Sequence, residues 1–222
     1  MRSLLKNNWQ YLVVYLMLLF FASYYLLNFD KLHIHSKINS FVGNRAIDTF
    51  FKYVTHIGDG LVAAIIALIV LILNAKKGIF IIITYVVSGL TTNVLKTHVF
   101  DVHRPHFVFG FYGHYFPQYK IQYVEGVKML GLNSFPSGHA TTSFAVFISL
   151  ALITENKFIK FIFFVFAFLG AFSRTYLSQH WLVDITVGSL IGTGAAIIFY
   201  VTFFSSNFLQ KYNKPLLNIF NP

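Results

Sequence analysis

FIKFIFFVFAFLGAFSRTY, residues 158–176, is a run of mostly apolar residues with one lysine before its four polar final positions. A transmembrane helix needs about twenty predominantly apolar residues, and in lipid each backbone N–H and C=O must bond within the segment. The alternating pattern of a membrane β-barrel is absent from the sequence. The stretch therefore predicts a helix that crosses a membrane. Five other segments have the same character and predict an all-α bundle of six transmembrane helices: residues 9–27, 60–75, 78–95, 139–154 and 182–204.

The composition also indicates an integral membrane protein. Hydrophobic residues make up 56% of the 222 residues and charged residues 11%, whereas a soluble domain has about 25% charged residues. We treat residues 1–222 as one membrane domain. The formal net charge of +10 favours anionic partners such as lipid head groups. Nucleic acid is not predicted as a partner, because the long apolar segments leave no soluble domain that would read a groove.

A further helix is predicted between the first two spans. Apolar residues recur there at helical spacing over residues 41–57, with polar residues on the other side. This pattern is typical of an amphipathic helix that lies at the membrane interface, and we assign it no catalytic role. In the last span, Gly188 and Gly192 are four residues apart, which predicts a face for close helix packing.

The positive residues in loops and tails set the predicted orientation. If the N-terminus is cytoplasmic, eight of the 17 Lys and Arg residues lie on that side, in short loops and tails. Several of the others lie in longer loops, where the positive-inside bias is weaker. We therefore predict that both termini are cytoplasmic, and that the loops after the third and fifth spans share the opposite side. The eight residues are Arg2, Lys6, Lys76, Lys77, Lys157, Lys160, Lys211 and Lys214.

Three polar clusters fall in those two loops. The first, KTHVFDVHRP at residues 96–105, places Lys96 and Arg104 directly after the third span. Charge at the edge of a membrane span is costly. The cluster is therefore either a solvated loop or a site that meets a charged ligand at the membrane surface.

The second cluster is PSGH, residues 136–139, at the start of the fourth span. A helix that begins at Ser137 and Gly138 exposes backbone N–H groups, which bind an anion without a metal. The alternative is a simple helix cap, in which the Ser137 hydroxyl satisfies those donors.

The third cluster is SRTYLSQHWLVD, residues 173–184, in the turn between the last two spans. His180 and Asp184 are four residues apart, so on a helix their side chains share one face. A carboxylate beside an imidazole orients the ring and stabilises its charged form, as in a catalytic nucleophile or base. The alternative is a structural His–Asp hydrogen bond at the start of a helix.

Together the clusters supply what the transfer of a phosphoryl group requires. Lys96, Arg104 and Arg174 provide positive charge for the phosphate oxygens, and the start of the fourth span provides N–H groups. His139 and His180 provide an acid and a nucleophile. The combination favours a phosphoryl-transfer site.

Neither a metal nor a nucleotide site is predicted. The chain has no Cys, and the pairs His33 with His35 and His103 with His106 lack the neighbouring ligands of a zinc site. The GxxxxGK pattern of nucleotide motors is also absent.

The chain resembles the type 2 phosphatidic acid phosphatase (PAP2) family of membrane phosphatases. The family signature has three parts, which are a Lys with a following Arg-Pro, PSGH, and SRx5Hx3D. The second part is complete at residues 136–139 and the third at residues 173–184. The layout of six spans with these motifs in the third and fifth loops also matches. The resemblance covers nearly the whole chain and implies a helical core of the PAP2/haloperoxidase type.

The resemblance implies a role for each residue of the motifs. His180 would attack the phosphorus and form a phosphohistidine, and Asp184 would hold its ring. His139 would protonate the leaving oxygen and later activate water. No metal ion or other cofactor would take part. The residues that would bind the phosphate oxygens are Lys96, Arg104, Ser137, Gly138 and Arg174.

The first motif departs from the family pattern. Seven residues separate Lys96 from Arg104, whereas the family usually has six. On a helix the extra residue turns the second side chain by about 100°. A bulge, or an early helix end before Pro105, would absorb the extra residue, and we expect Lys96 to reach the site.

Within the family, the compact chain, the stretch at residues 124–139 and the longer first motif look most like bacterial lipid A 4'-phosphatases. This implies removal of a phosphate monoester from lipid A at the periplasmic face of the bacterial inner membrane, which lowers the negative charge that attracts cationic peptides. The loop at residues 106–132 would contact a sugar head group or act as a structural lid. The alternatives are a phosphatase of undecaprenyl diphosphate or of a phospholipid, phosphatidylglycerophosphate. Outside enzymes, the alternatives are a lipid-binding scaffold and an anion transporter.

Overall fold

The computed structural model describes residues 2–204 and 210–217, and within those ranges the protein is all-helical, as predicted. The α-helices, in chain order, are α1 (Arg2–Asn28), α2 (Lys31–Asn39), α3 (Arg45–Val54), α4 (Gly60–Leu73), α5 (Ala75–Val94), α6 (Pro105–Tyr112), α7 (Gly138–Ile153), α8 (Lys157–Tyr176) and α9 (Leu182–Phe204). Short 3-10 turns lie at Thr55–Gly58, Gly113–Tyr115 and Gln210–Tyr212, and a π turn lies at Leu95–Val99.

Helix α7 is the centre of the bundle. It packs against α5, α8 and α9 and also contacts α4. Most of its residues are buried, and Ala140, Ala145 and Ala151 have no exposed surface. These small side chains allow the neighbouring helices to approach closely. The N-terminus of α7 is thereby placed in the middle of one end of the bundle.

Two glycines bring α9 directly against α7. A Cβ on Gly188 would lie 2.6 Å from the carbonyl oxygen of Ser137, and one on Gly192 would lie 2.5 Å from that of Thr141. The predicted small-residue face is therefore confirmed. At the same contact, the N–H of Ser137 donates to the carbonyl oxygen of Asp184 at 3.0 Å. The packing thus joins the PSGH segment to the start of α9.

The described residues contain four helices that are long and apolar enough to cross a membrane, at Asn7–Asn28, Ala75–Val99, Lys157–Tyr176 and Leu182–Phe204. The pair Arg45–Gly58 and Gly60–Leu73, bent by 54°, adds a fifth if it forms one span. Helix α7 has 16 residues, a length of about 24 Å, which is short of the hydrocarbon core of about 30 Å. By length and composition, four or five of the six predicted spans are supported.

Two of the cations that were counted as loop residues lie inside the bundle. Lys76 Nζ donates to Gln210 Oε1 at 2.9 Å, and Lys160 Nζ donates to Asn8 Oδ1 at 2.7 Å. Both lysines are buried. The first contact joins the beginning of α5 to the turn Gln210–Tyr212, and the second joins the beginnings of α1 and α8. The prediction that both termini are cytoplasmic falls on Met1 and residues 218–222, which lie outside the described residues.

Helix α3 corresponds to the amphipathic helix that was predicted between the first two spans. Part of its polar side contacts protein, because Asp48 accepts a hydrogen bond from the Tyr176 hydroxyl at 2.5 Å. Lys52 Nζ donates to the carbonyl oxygen of Glu125 at 2.9 Å, whereas the apolar Phe50 is exposed. The interfacial position of α3 stays a prediction.

Candidate active site

All eight predicted site residues lie at the end of the bundle opposite to the beginnings of α1 and α8. Six different elements carry them. They are Lys96 in the π turn, Arg104 before α6, Ser137, Gly138 and His139 at the start of α7, Arg174 in the last turn of α8, His180 in the turn that follows, and Asp184 in the first turn of α9. Helix packing therefore brings together three clusters that are far apart in the sequence.

His180 and Asp184 form a buried pair. His180 is 1% exposed and Asp184 is fully buried, and Nδ1 of His180 lies 3.2 Å from Oδ2 of Asp184. Nε2 of His180 lies 3.3 Å from Nη1 of Arg104. Because a guanidinium only donates hydrogen bonds, Nε2 is the acceptor and Nδ1 carries the proton. The unprotonated nitrogen of His180 is thus Nε2, which lies beside the cation of Arg104.

The carboxylate of Asp184 is fixed by more than the histidine. Its Oδ2 atom also accepts hydrogen bonds from the Ser134 hydroxyl and, at 2.9 Å, from the backbone N–H of Trp181. Trp181 is itself buried and donates from Nε1 to the carbonyl oxygen of His103 at 2.8 Å. The turn that carries His180 is therefore held at both its side chain and its backbone.

Arg104 is held in place by backbone carbonyl groups. Its Nε donates to Leu132 at 2.9 Å, its Nη1 to Gln179 at 3.0 Å and its Nη2 to Asn133 at 3.3 Å. Burial lowers the pKa of Arg104, and the charge of Asp184 opposes that shift. The guanidinium is therefore a cation whose position is set before any ligand binds, which reduces the cost of ordering it on binding.

The surroundings keep His180 neutral. Burial lowers the pKa of His180 well below its usual value, and the positive charges of Arg104, Arg174 and Lys96 lower it further. A neutral imidazole is the form that acts as a nucleophile. His180 is thus in its reactive form over a wide range of pH.

The extra residue of the first motif is absorbed as expected. Helix α5 passes into the π turn Leu95–Val99, and the helix ends there, before the chain reaches Arg104. A π turn holds one more residue per hydrogen-bonded loop than an α turn. Lys96 is directed into the site, where its Nζ lies 3.9 Å from the position of a Cβ on Gly138.

The first turn of α7 and the end of α8 offer further donors to a ligand. The Ser137 hydroxyl accepts the N–H of Ala140 at 3.4 Å. The N–H groups of Gly138 and His139 have no partner within the helix, because both residues lie in its first turn. Arg174 donates from Nη1 to Thr55 Oγ1 at 2.8 Å. Its Nε is buried and has no hydrogen-bond partner in the described part of the chain.

His139 also has a carboxylate partner. Its Nε2 lies 2.8 Å from Oδ1 of Asp59, whose Oδ2 lies 2.6 Å from Nδ1 of His56. Asp59 precedes α4, and its side chain does not cap that helix. The side chains of His139 and Asp59 are 30% and 36% exposed, so this second pair is open to solvent, unlike the pair of His180 and Asp184.

A cavity of about 410 Å³ lies beside the start of α7, between α4 and α5. Lys96 and His139 line it, and so do Val86 and Leu90, which are exposed on α5. Gly89 also lines it, and a Cβ there would meet no other atom within 4 Å. The cavity therefore connects the site with the apolar surface of the bundle. A larger cavity, of about 570 Å³ between α1, α2, α8 and α9, contains none of the eight predicted residues.

Three residues in the site were missed by the sequence reasoning, namely Ser134, Thr55 and Asp59. A signal for Asp59 was available, because it stands directly before the second span, on the side of the membrane predicted for the site. No comparable signal marks Thr55 or Ser134. In the ranges that the structure describes, no group of three His, Cys, Asp or Glu residues is placed to hold a metal ion.

Comparison with known proteins gives matches over most of the chain. The sequence profile of the PAP2 superfamily matches residues 77–208. A lipid A 4'-phosphatase of Bacteroides thetaiotaomicron is 30% identical over 78 residues, which are 35% of this chain and 35% of that protein. Undecaprenyl-diphosphatase BcrC of Bacillus subtilis is 27% identical over 80% of this chain and 84% of its own length. The crystal structure of Aquifex aeolicus LpxE superposes with a TM-score of 0.64 at 27% identity, over 79% of this chain and 98% of that chain.

Proposed function

The chain belongs to the PAP2 superfamily, and from that premise we propose that it is a metal-independent lipid phosphatase of the bacterial inner membrane. It hydrolyses a phosphate monoester through a phosphohistidine at His180, and the 4'-phosphate of lipid A is the first candidate substrate. The bundle crosses the membrane six times, with α7 as a short crossing inside the protein. The site faces the periplasm and both termini are cytoplasmic.

One observation carries this proposal. Nε2, the unprotonated nitrogen of His180, is subject to the positive charges of Arg104, Arg174 and Lys96. Nε of Arg174 is buried and has no hydrogen-bond partner in the described residues. The two carboxylates beside these cations are already engaged, Asp184 with His180 and Asp59 with His139 and His56. A buried excess of positive charge is costly unless an anion compensates it. A phosphate group supplies that charge and places its phosphorus in reach of His180.

In the first step of the proposed reaction, Nε2 of His180 forms a bond to phosphorus. The bond from phosphorus to the lipid oxygen breaks, and its electron pair stays on that oxygen, which takes a proton from His139. Asp184 stabilises the positive charge that develops on the ring of His180. Lys96, Arg104, Arg174, Ser137 and the N–H of Gly138 bind the phosphate oxygens and stabilise the charge of the transition state.

In the second step, water attacks the phosphorus of the phosphohistidine. His139 takes a proton from this water, and the bond between phosphorus and Nε2 breaks, with its electron pair returning to His180. Inorganic phosphate then leaves, and both histidines regain their initial protonation states. Phosphoryl transfer of this kind is driven by positioning and electrostatic stabilisation.

Two substrates compete, and a different similarity supports each. The Bacteroides relative is named a lipid A 4'-phosphatase, but the match spans only 35% of each chain. The similarity to undecaprenyl-diphosphatase spans 80% of this chain and 84% of BcrC, which supports undecaprenyl diphosphate as the second candidate. Both are anionic lipids, in agreement with a site that opens on the apolar surface of α5.

We expect purified protein in detergent to release phosphate from lipid A, and to do so equally well with excess EDTA, because no proposed step uses a metal. Phosphate release is to be measured on lipid A, undecaprenyl diphosphate and phosphatidylglycerophosphate in parallel. Release from undecaprenyl diphosphate but not from lipid A would reverse the order of the two candidates. Loss of all activity in EDTA, with recovery on addition of a divalent metal, would contradict the proposed mechanism.

We expect Gly89→Phe to lower kcat/KM for the lipid by about tenfold, since the new side chain enters the cavity beside Lys96 and His139. A phenylalanine side chain in the cavity fills space that an acyl chain or head group of the lipid would otherwise occupy. Gly194→Phe on α9 is the matched control, because a Cβ at either glycine meets no other atom within 4 Å. Equal kcat/KM in the two variants would show that the lipid does not pass through this cavity.

A further inference from the structure

We propose that Asp59 is the positioning residue of His139, which it orients and keeps protonated for the general-acid step. Asp59 lies outside the three sequence motifs, and its role rests on the proposed phosphohistidine mechanism. The site then contains two histidine–carboxylate pairs with different tasks. His180 and Asp184 form the buried nucleophilic pair, whereas His139 and Asp59 form the acid–base pair beside solvent.

The geometry defines which nitrogen of His139 reacts. Oδ1 of Asp59 is 2.8 Å from Nε2 of His139, so Nε2–H donates a hydrogen bond to the ionised carboxylate. Nδ1 is left to exchange a proton with the substrate or with water. In His180 the order is reversed, since Nδ1 binds Asp184 and the unprotonated Nε2 lies beside Arg104.

Asp59 is brought to His139 by close packing of the preceding turn. A Cβ on Gly58 would lie 2.8 Å from Oγ of Ser143 and 3.0 Å from the carbonyl oxygen of His139. The 3-10 turn Thr55–Gly58 therefore lies directly against α7. The other carboxylate oxygen of Asp59 is held by Nδ1 of His56 at 2.6 Å, which fixes the orientation of the carboxylate.

The charges around His139 explain why it needs a carboxylate. Burial is the largest influence against a positive charge on His139, Arg174 of α8 and Lys96 of the π turn add to it, and Asp59 offsets only part of it. Asp59 also faces His56 and Arg174. A bound phosphate offsets the two cations, and with Asp59 it favours the protonated ring in the enzyme–substrate complex. The pH dependence of kcat, which describes that complex, is therefore the quantity to measure.

The proton balance follows from this arrangement. In the first step, Nδ1–H of protonated His139 gives its proton to the leaving lipid oxygen as the bond to phosphorus breaks. The ring is then neutral and stays bound to Asp59 through Nε2–H. In the second step, Nδ1 takes the proton of the attacking water, and the ring is again positive. Asp59 remains ionised throughout.

We expect Asp59→Asn to lower kcat by about 10²-fold, in the range of general acid–base catalysis, with KM within about threefold of the wild type. Without the carboxylate His139 loses its proton more readily, so the alkaline limb of kcat against pH moves to lower pH. Asp59→Glu keeps the negative charge and is expected to keep that limb in place, with part of the activity. The kcat and KM of all variants are to be measured from pH 5 to 10 on the lipid that the wild type hydrolyses.

Asp101→Asn is the matched control, because it removes an exposed carboxylate from the segment beside the site. It is expected to leave kcat and the pH profile unchanged. The inference is overturned if Asp59→Asn keeps kcat within twofold of the wild type, or if it loses activity while its alkaline limb stays in place. A shift of the alkaline limb in Asp59→Glu would also overturn it. Failure of the proposed function itself would look different, since His180→Ala would then retain activity.

Discussion

His180→Ala is expected to reduce phosphate release by at least about 10⁴-fold, because the variant lacks the atom that forms the covalent intermediate. Its side chain is buried, and Nε2 has no substitute nitrogen at the same position. Wild-type protein mixed with ³²P-labelled lipid and quenched in alkali should carry label on the protein, since phosphohistidine is stable to alkali and labile to acid. His180→Ala should carry none.

His35→Gln is the matched control for this variant. His35 is also 1% exposed and donates or accepts a hydrogen bond with Oγ of Ser178 at 3.0 Å, two residues before His180. Burial lowers the pKa of His35 to about 3, so it is a buried neutral histidine outside the site. We expect His35→Gln to lose stability but to retain activity within about tenfold and to be labelled.

Two outcomes would contradict the proposed chemistry. Label on His180→Ala would place the intermediate on another residue, and wild-type phosphate release by that variant would exclude a covalent histidine. A lipid-binding scaffold or an anion transporter would retain its full function in His180→Ala. Melting temperatures of the variants should be compared with that of the wild type, so that a loss of activity is not confused with unfolding.

The parts of the site that were predictable from the sequence are those that depend on local spacing. His180 and Asp184 are four residues apart, and the start of α7 is marked by PSGH. The backbone that pairs them differs from the expectation, however, because His180 lies in the turn before α9 and not on the helix. The Asp184 carboxylate accepts a hydrogen bond from the backbone N–H of Trp181, which holds it beside His180. The SRx5Hx3D spacing therefore predicted the contact between His180 and Asp184, but the backbone between them is partly a turn and not a continuous helix.

The missed parts depend on packing between distant segments. Asp59 and His139 are 80 positions apart, and Ser134 and Asp184 are 50 apart. Their contacts arise where glycines let backbones touch, as at Gly58 against α7. No local pattern in a single sequence encodes such an approach, so Asp59 was visible only as an acidic residue before a span.

Hydropathy predicted where the helices lie in the sequence more reliably than whether their residues face lipid, water or protein. Helix α7 is apolar like a lipid-facing span, but most of its residues are buried against α5, α8 and α9. Lys76 and Lys160 were counted as loop cations, yet each is buried and bonded within the bundle. An apolar or basic residue type does not say whether its neighbour is lipid, water or protein.

The second large effect is expected for Arg104→Gln, which should lower kcat/KM by about 10² to 10³-fold, the usual cost of losing one donor to a developing negative charge. The same change should alter the pH dependence. Arg104 is the first of the cations that lower the pKa of His180, so its removal raises that pKa toward the ordinary value. Because His180 must be neutral to attack, the acid limb of kcat/KM then moves to higher pH.

Arg104→Lys and Lys96→Gln separate the possible causes. Arg104→Lys keeps the charge but loses the fixed fork of donors to Leu132, Gln179 and Asn133, so kcat/KM should fall while the acid limb stays in place. Lys96→Gln should also lower kcat/KM but move the limb less, since Lys96 acts on His180 more weakly than Arg104 does. Near-normal activity in Lys96→Gln alone would remove Lys96 from the phosphate site. An acid limb unmoved in Arg104→Gln would show that burial, without the neighbouring cations, keeps His180 neutral.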